Sequence, residues 1–324
     1  MTIADDYATD QQVRWCPGCG DFAVLDQMRK VLASLDRGRE NTVFISGIGC
    51  AGRFPYYMET YGMHGIHGRA PAIATGLKQV RPDLDVWVIT GDGDGLSIGI
   101  GHLVHALRRN VDIKILLFNN RVYGLTKGQF SPTSLLGQVT PSTPQGSEID
   151  PINALSLAVA ANCSFIARAV DTQAQSLAEV LRRAALHQGS VFVEIYQNCH
   201  VYNDGTFDYA KNKKIRADHV IELEHGKPMI FGIDRDKGLR RNGAGVEVAT
   251  IGADFAENEL LHHDERAQTT DLAHMLAGLR HPEMPEVFGV LRDVDRSMKE
   301  IKQTDPAEMD LHELLQGSDS WFVD

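Results

Sequence analysis

The residues most able to do chemistry fall into two groups. In the first, Cys16-Pro17-Gly18-Cys19 forms a C-x-x-C knuckle, and Cys50 and Cys199 stand far downstream. The turn inside the knuckle lets both thiolates face one metal, and four thiolates on one centre suit tetrahedral zinc or an iron-sulfur cluster. The spacing matches neither a two-knuckle zinc ribbon nor a ferredoxin run, so it leaves the metal open. Taken singly, Cys50 and Cys199 are as compatible with buried inert thiols as with ligands. The fifth cysteine, Cys163 in AANCSFIA, lies among apolar residues and reads as core.

The second group is Gly91-Asp92-Gly93-Asp94-Gly95 followed by Asn119-Asn120. An Asp and an Asn at adjacent strand ends place hard oxygens around Mg²⁺. The glycines let a diphosphate approach the backbone, at the start of a helix expected over 97–109. Either turn alone is commonplace; the signal is the pair, separated by one helix and one strand. Gly47-Ile48-Gly49-Cys50-Ala51-Gly52 also matches G-x-G-x-x-G after a strand. Pro55, Tyr56 and Tyr57 follow where a dinucleotide-binding helix should open, and no acidic residue closes a second strand about 20 residues on, so a nicotinamide site is rejected.

These groups need a frame. Phe22, Leu25, Met28, Val31, Leu32 and Leu35 recur at helical spacing, and a β-branched strand, 42–46, follows. The alternation continues with helix 69–80, strand 85–90, helix 97–109 and strand 112–118. After a loop come helix 151–161, strand 165–170, helix 172–187 and strand 191–196. Short strands that are apolar on both faces and joined by helical crossovers predict an α/β fold, a doubly wound, mostly parallel sheet. In such sheets ligands bind outside the carboxyl ends of the strands. Four of the five predicted strands run into Gly47–Cys50, Gly91–Gly95, Asn119-Asn120 and Gln197–His200, which places both groups on one edge.

The stretch 121–150 is rich in Gly, Ser, Thr, Pro and Gln, and loops of that length are usually functional. Beyond His200 the alternation fades. A hairpin is expected over 220–233 around His225-Gly226-Lys227, with helices over 270–279 and 306–315, the latter opened by Asp305 as N-cap with Glu308 three residues on. The expected organisation is a cofactor-binding domain over 1–200 and a C-terminal extension over 201–324 that packs on it or on a partner chain.

With 324 residues and 43% hydrophobic composition the chain can bury a sizeable core, which excludes a disordered protein. A net charge of −11 argues against general nucleic-acid binding, since no broad phosphate-neutralising surface is supplied. Five cysteines are too few and too odd for a disulfide scaffold. No apolar stretch nears the roughly 18 residues of a membrane span, and MTIADDYATD has no basic or apolar signal region. A cytoplasmic location is the default expectation.

The strings WCPGCGDF (15–22), GIGCAGRFPYY (47–57), HGIHGRAPAIATGLK (64–78), GDGDGLSIG (91–99), NNRVYGLTKGQFSPTS (119–134) and QNCHVYN (197–203) together resemble the β subunit of the 2-oxoacid:ferredoxin oxidoreductases, and most closely the 2-oxoglutarate branch. The resemblance implies thiamine diphosphate with Mg²⁺ held by Asp92, Asn120 and the Val122 carbonyl. Ile48, Gly49, His67, Gly91, Gly93, Asp94, Gly124 and Leu125 would stand around the cofactor. It further implies one 4Fe-4S cluster on Cys16, Cys19, Cys50 and Cys199. The implied reaction is oxidative decarboxylation of 2-oxoglutarate with coenzyme A to succinyl-CoA, CO₂ and reduced ferredoxin, or its reverse; pyruvate or another 2-oxoacid is the alternative substrate. Such chemistry belongs to the cofactors, and the protein holds them on one sheet edge.

In that picture His67 and Arg69 are candidates to meet the diphosphate or a substrate carboxylate, with His64 weaker. Lys127 would pair with an oxoacid carboxylate while Leu125 shapes the pocket. Thiamine enzymes of this kind use a Glu on a second doubly wound domain, and 201–324 is too short to hold one. An α subunit is therefore expected to complete the site, as an αβ unit doubled to α2β2. Two other readings compete: a thiamine enzyme with structural zinc on the four cysteines, and a zinc-binding interaction subunit with vestigial GDGDG and NN turns. Lys211, Lys213, Lys214 and Arg216 form the one basic run that would receive an acidic ferredoxin, though an ordinary solvated turn explains it as well.

Overall fold

A computed structural model describes residues 3–298 except 244 and 253–255. Its helices are α1 (Asp21–Ser34), α2 (Ala70–Val80), α3 (Asp92–Gly95), α4 (Ile100–Arg108), α5 (Ala154–Ala160), α6 (Ala174–Leu186), α7 (Asp208–Lys211), α8 (Arg216–His219) and α9 (Asp271–Ala277). Its strands are β1 (Thr42–Ser46), β2 (Tyr61–His64), β3 (Asp85–Gly91), β4 (Lys114–Asn119), β5 (Phe165–Val170), β6 (Val191–Tyr196), β7 (Val220–Glu222), β8 (Ile230–Phe231), β9 (Lys237–Asn242), β10 (Gly245–Thr250) and β11 (Glu286–Asp293).

Eight strands form one sheet in the order β2-β1-β3-β4-β6-β5-β11-β7, parallel except where β11 runs against β5. Successive residues of each strand serve opposite faces. Val43 and Ile45 pack with Val86, Val88, Ile115 and Leu117 against α2, α4 and α5, while Phe44, Trp87, Ile89 and Leu116 pack against α1 and α6. Both faces are covered, which is why these strands read as unbroken apolar runs instead of an alternation.

From β1 the chain goes to β2 on one side of the sheet and returns to β3 on the other. The connections therefore diverge at β1 and β3, and a crevice opens at their carboxyl ends. The registers bring the ends of neighbouring strands level: Ser46 lies beside Ile89, Gly91 beside Phe118, and Asn119 beside Tyr196.

The chain after residue 200 departs from expectation at its predicted hairpin. Residues 220–233 make no hairpin: β7 joins the main sheet parallel to β11, and β8 pairs with β9 in a separate three-stranded sheet. The backbone between them is drawn apart because Met229 and Lys227 bond instead to the segment around Leu261 and His263. The helix over 270–279 is present as α9, whereas that over 306–315 lies outside the described residues.

Polar struts fix the later segments to the domain. Arg183 on α6 grips Glu265 through both terminal nitrogens at 3.0 and 2.9 Å and reaches Asp293 at 2.7 Å. His187 spans from Asp293 (2.9 Å) to Ser164 Oγ (2.8 Å). The Ser-His-Asp arrangement is a strut and not a hydrolase triad, because Ser164 is fully buried and already bonded to Asn110 at 2.8 Å.

Candidate active site

The crevice at the carboxyl ends of β1, β3, β4 and β6 is a cleft. Its walls are strand-end segments: Ile48–Ala51 after β1, Gly91–Asp94 after β3, Phe118, Asn120 and Val122–Thr126 after β4, and Gln197 after β6. His67 and Asp21 complete it. Of the residues singled out from sequence for cofactor or metal, Ile48, Gly49, Cys50, His67, Gly91, Asp92, Gly93, Asp94, Asn120, Val122, Gly124 and Leu125 all line it. Arg69, Lys127, Cys16, Cys19 and Cys199 do not.

Asp92 is one of the buried carboxylates that line this cleft. It is 2% exposed, and burial raises its carboxyl above the usual range even though Ser131 and Thr133 draw it down. A buried carboxylate in that condition is stabilised by a bound cation. Asn120 directs its Oδ1 to the Val122 N–H at 3.2 Å and stands at the neighbouring strand end. Gly49, at φ +117, has open space where a side chain would project, leaving a bare backbone wall.

Asp94 has a different occupation from the one its neighbourhood suggested. Its Oδ1 takes the Ile48 N–H (3.1 Å), the Gly68 N–H (2.9 Å) and His67 Nδ1 (2.8 Å), and its Oδ2 takes the Thr90 hydroxyl (2.7 Å). The carboxylate is spent on tying the β1 and β2 connections to β3. Gly47 lacks a side chain at the point where a Cβ would collide with it. His67 is thereby oriented, with Nε2 as its remaining nitrogen. Arg69 turns back onto the His67 carbonyl at 3.0 Å, and His64 pairs with Tyr56 at 3.0 Å. Helix α4 opens at Ile100, later than expected, and its start packs on Gly68, so the turn facing the cleft is the short α3.

The thiols converge beside this cleft. A side-chain carbon on Gly124 would sit 3.4 Å from Cys199 Sγ and 3.8 Å from Cys50 Sγ. Burial raises Cys19, Cys50 and Cys199 above the ordinary thiol range, Cys50 to about 12, and the thiols raise one another: Cys50 and Cys199 act on Cys19, and Cys16 acts on both Cys50 and Cys199. Four mutually repelling thiolates without a cation are unfavourable, and a multivalent cationic centre is what such a set fits. Among the described residues no three His, Cys, Asp or Glu side chains are closed around one point as a finished metal site. Cys163 is fully buried with its thiol on the Phe165 and Ser190 carbonyls, as core.

The family described as thiamine pyrophosphate enzyme, C-terminal TPP binding domain, matches residues 47–195, the span that supplies most of the cleft. Over 98% of its length the chain is 49% identical to 2-oxoglutarate oxidoreductase subunit KorB of Mycobacterium tuberculosis, covering 88% of that protein. The chain belongs to the β subunits of the 2-oxoacid oxidoreductases. It is accordingly a subunit of a thiamine diphosphate-dependent oxidoreductase. A further relative in this β-subunit family, 2-oxoacid:ferredoxin oxidoreductase 1 subunit β of Aeropyrum pernix, is 45% identical over 61% of this chain and 62% of its own. The 2-oxoglutarate:ferredoxin oxidoreductase from Magnetococcus marinus, solved with 2-oxoglutarate, coenzyme A and succinyl-CoA bound, superposes with a TM-score of 0.73 at 32% identity. The match covers 91% of this chain and 86% of that one.

Within this β-subunit cleft, sequence reading missed Ser131 and Thr133. Each hydroxyl lies 2.6 Å from Asp92 Oδ2, and both residues are buried. Thr133 also sits 2.9 Å from Asn119 Oδ1, which the Arg121 N–H already serves at 3.2 Å, leaving the Thr133 proton for Asp92. Both hydroxyls therefore converge on the same carboxylate oxygen. The long Ser/Thr-rich loop was the available signal. Thr133→Val is expected to weaken Mg²⁺-dependent thiamine diphosphate binding about 10-fold, the lower range for loss of an outer-shell partner, with Thr133→Ser restoring it. Calorimetric titration of the cofactor-stripped protein measures this.

Proposed function

We propose that this chain is the cofactor-binding β subunit of a 2-oxoglutarate:ferredoxin oxidoreductase, converting 2-oxoglutarate and coenzyme A to succinyl-CoA and CO₂ and passing electrons to ferredoxin. The observation that carries the reading is one cleft beside the thiols: Asp92, Asn120, Val122, Gly124 and Cys50 line it, and Cys199 Sγ lies with Cys50 Sγ beside Gly124. Asp92, Asn120 and the Val122 carbonyl would hold Mg²⁺, and Cys16, Cys19, Cys50 and Cys199 a 4Fe-4S cluster. When bound, thiamine diphosphate supplies a nucleophilic carbon and electron sink for decarboxylating a 2-oxoacid, and the cluster a one-electron acceptor.

The chain's own part is positional. The bare backbone at Gly49 and Gly91 would admit a diphosphate, Asp94 fixes His67 at the cleft wall, and Leu125, 46% exposed, offers an apolar contact at the mouth. Lys127 is exposed on the neighbouring loop, where it would meet a carboxylate of the substrate once a partner subunit closes the mouth. The 1–200 segment serves as the cofactor domain, and 201–324 as the extension, which also lends β7 and β11 to the main sheet. An α subunit, in an α2β2 assembly, would complete the site. In the basic run, Lys211 pairs with Asp171 at 3.4 Å and Arg216 with Glu222, which leaves Lys213 and Lys214 as the exposed charges toward ferredoxin. No helix among the described residues is long and apolar enough to cross a membrane.

The test is anaerobic purification with the partner subunit. Brown protein that bleaches with dithionite, contains thiamine diphosphate and reduces ferredoxin only with 2-oxoglutarate and coenzyme A is the expected result. Colourless protein with stoichiometric zinc sinks the electron-transfer reading, and preference for pyruvate sinks the substrate.

A further inference from the structure

Gln197 leaves the end of β6 and is 1% exposed, yet both ends of its amide are engaged. Its Oε1 accepts from Asn120 Nδ2 at 2.9 Å, and its Nε2 donates to Cys19 Sγ at 3.2 Å and to the Asn198 carbonyl at 2.8 Å. The orientation of the amide follows from its partners. Asn120 Oδ1 receives the Val122 N–H, so Asn120 presents its NH₂ to Gln197; the facing end of Gln197 is therefore the acceptor, and the NH₂ points at sulfur. Room for this arrangement comes from Gly20, where a side-chain carbon would press on Gln197 Cγ at 3.0 Å and collide with the Asp171 carboxylate. Asp171 in turn accepts the Asn198 N–H at 3.0 Å, holding the turn that carries Gln197.

We infer that Gln197 is a positioning residue that couples the thiol site to the diphosphate site, setting the electron affinity of the cluster through Cys19 and the orientation of the metal ligand through Asn120. The inference rests on the cofactor assignment above and adds a link between its two halves. An N–H directed at a cluster sulfur stabilises the more negative, reduced state and so raises the potential. The carbonyl end denies Asn120 the freedom to rotate its Oδ1 away from the Val122 N–H, which fixes the orientation of this proposed metal ligand. One buried side chain thus acts on both cofactors, and neither effect needs contact with the substrate.

The test uses the anaerobically purified complex with its partner subunit, with two readouts: redox titration followed by the EPR signal of the reduced cluster, and Mg²⁺-dependent thiamine diphosphate binding to the stripped protein. Gln197→Leu is expected to shift the midpoint negative, about threefold to tenfold in the reduction equilibrium, and to weaken cofactor binding about 10-fold. Gln197→Glu keeps the acceptor for Asn120 and removes the N–H from sulfur. It is expected to shift the midpoint negative while retaining cofactor affinity, and it remains informative if the Leu variant does not fold. An unchanged midpoint in both variants overturns the inference, as does a midpoint that moves while Gln197→Leu binds cofactor normally. A wild-type complex without an iron-sulfur signal would instead overturn the cofactor assignment and the inference with it.

Discussion

Asp92→Ala is expected to abolish thiamine diphosphate and Mg²⁺ uptake. 2-Oxoacid-dependent ferredoxin reduction should fall by more than the roughly 100-fold that loss of an outer-shell partner costs. The reason is that Asp92 is the sole carboxylate in the proposed metal-binding set, while the other cleft carboxylate of the GDGDG turn, Asp94, has its oxygens occupied by Ile48, Gly68, His67 and Thr90. Asp94 therefore cannot substitute. The folded chain should survive the change: it removes a buried charge but leaves the Ser131 and Thr133 hydroxyls without their acceptor, a cost of about 1–3 kcal/mol. Calorimetry for cofactor binding, with circular dichroism as the folding control, separates the two effects. Full cofactor retention by folded Asp92→Ala would remove Asp92 from the site.

The second large effect is expected at the thiols. Cys19→Ser, Cys50→Ser and Cys199→Ser should each lose visible absorption and the EPR signal of the reduced protein, and ferredoxin reduction with it, whereas Cys163→Ser keeps all three. Burial and mutual repulsion hold these three thiols protonated when no cation is present. A metal centre reverses that balance only when the ligand set is complete. Cys163 is excluded by geometry, since its thiol is consumed inside the core between β5 and β6. Iron content and EPR of anaerobic preparations decide the matter. If all three variants keep a full complement of iron, the four-cysteine ligand set is wrong.

How far the sequence could be read varied with what fixed each element. The expected strands 42–46, 165–170 and 191–196 match β1, β5 and β6 residue for residue, because each is apolar on both faces and bounded by polar turns. Helix α4 starts later than its pattern because the glycine at 99 must lie against Gly68. Strand β2 escaped notice since Tyr61–His64 is exposed throughout and carries no burial pattern. Strand β11 pairs with β5 and β7, on opposite sides of it in the sheet, and the apolar run that forms it gave no sign of either partner. The supposed hairpin over 220–233 failed for the same reason: local turn chemistry at His225-Gly226-Lys227 was sound, but each arm found a better partner elsewhere.

By itself, the sequence determined which donors exist and that they stand at strand ends: four cysteines, the GDGDG turn, the paired asparagines. Strand ends are local features, fixed by where an apolar run stops. Only the tertiary structure decided which groups hold those donors in place. Ser131 and Thr133 reach Asp92 across 39 and 41 residues, and Gln197 reaches Cys19 across 178. Such contacts depend on the order of strands in the sheet and on the space left by glycines at 20 and 47. A pattern confined to neighbours along the chain carries no record of either.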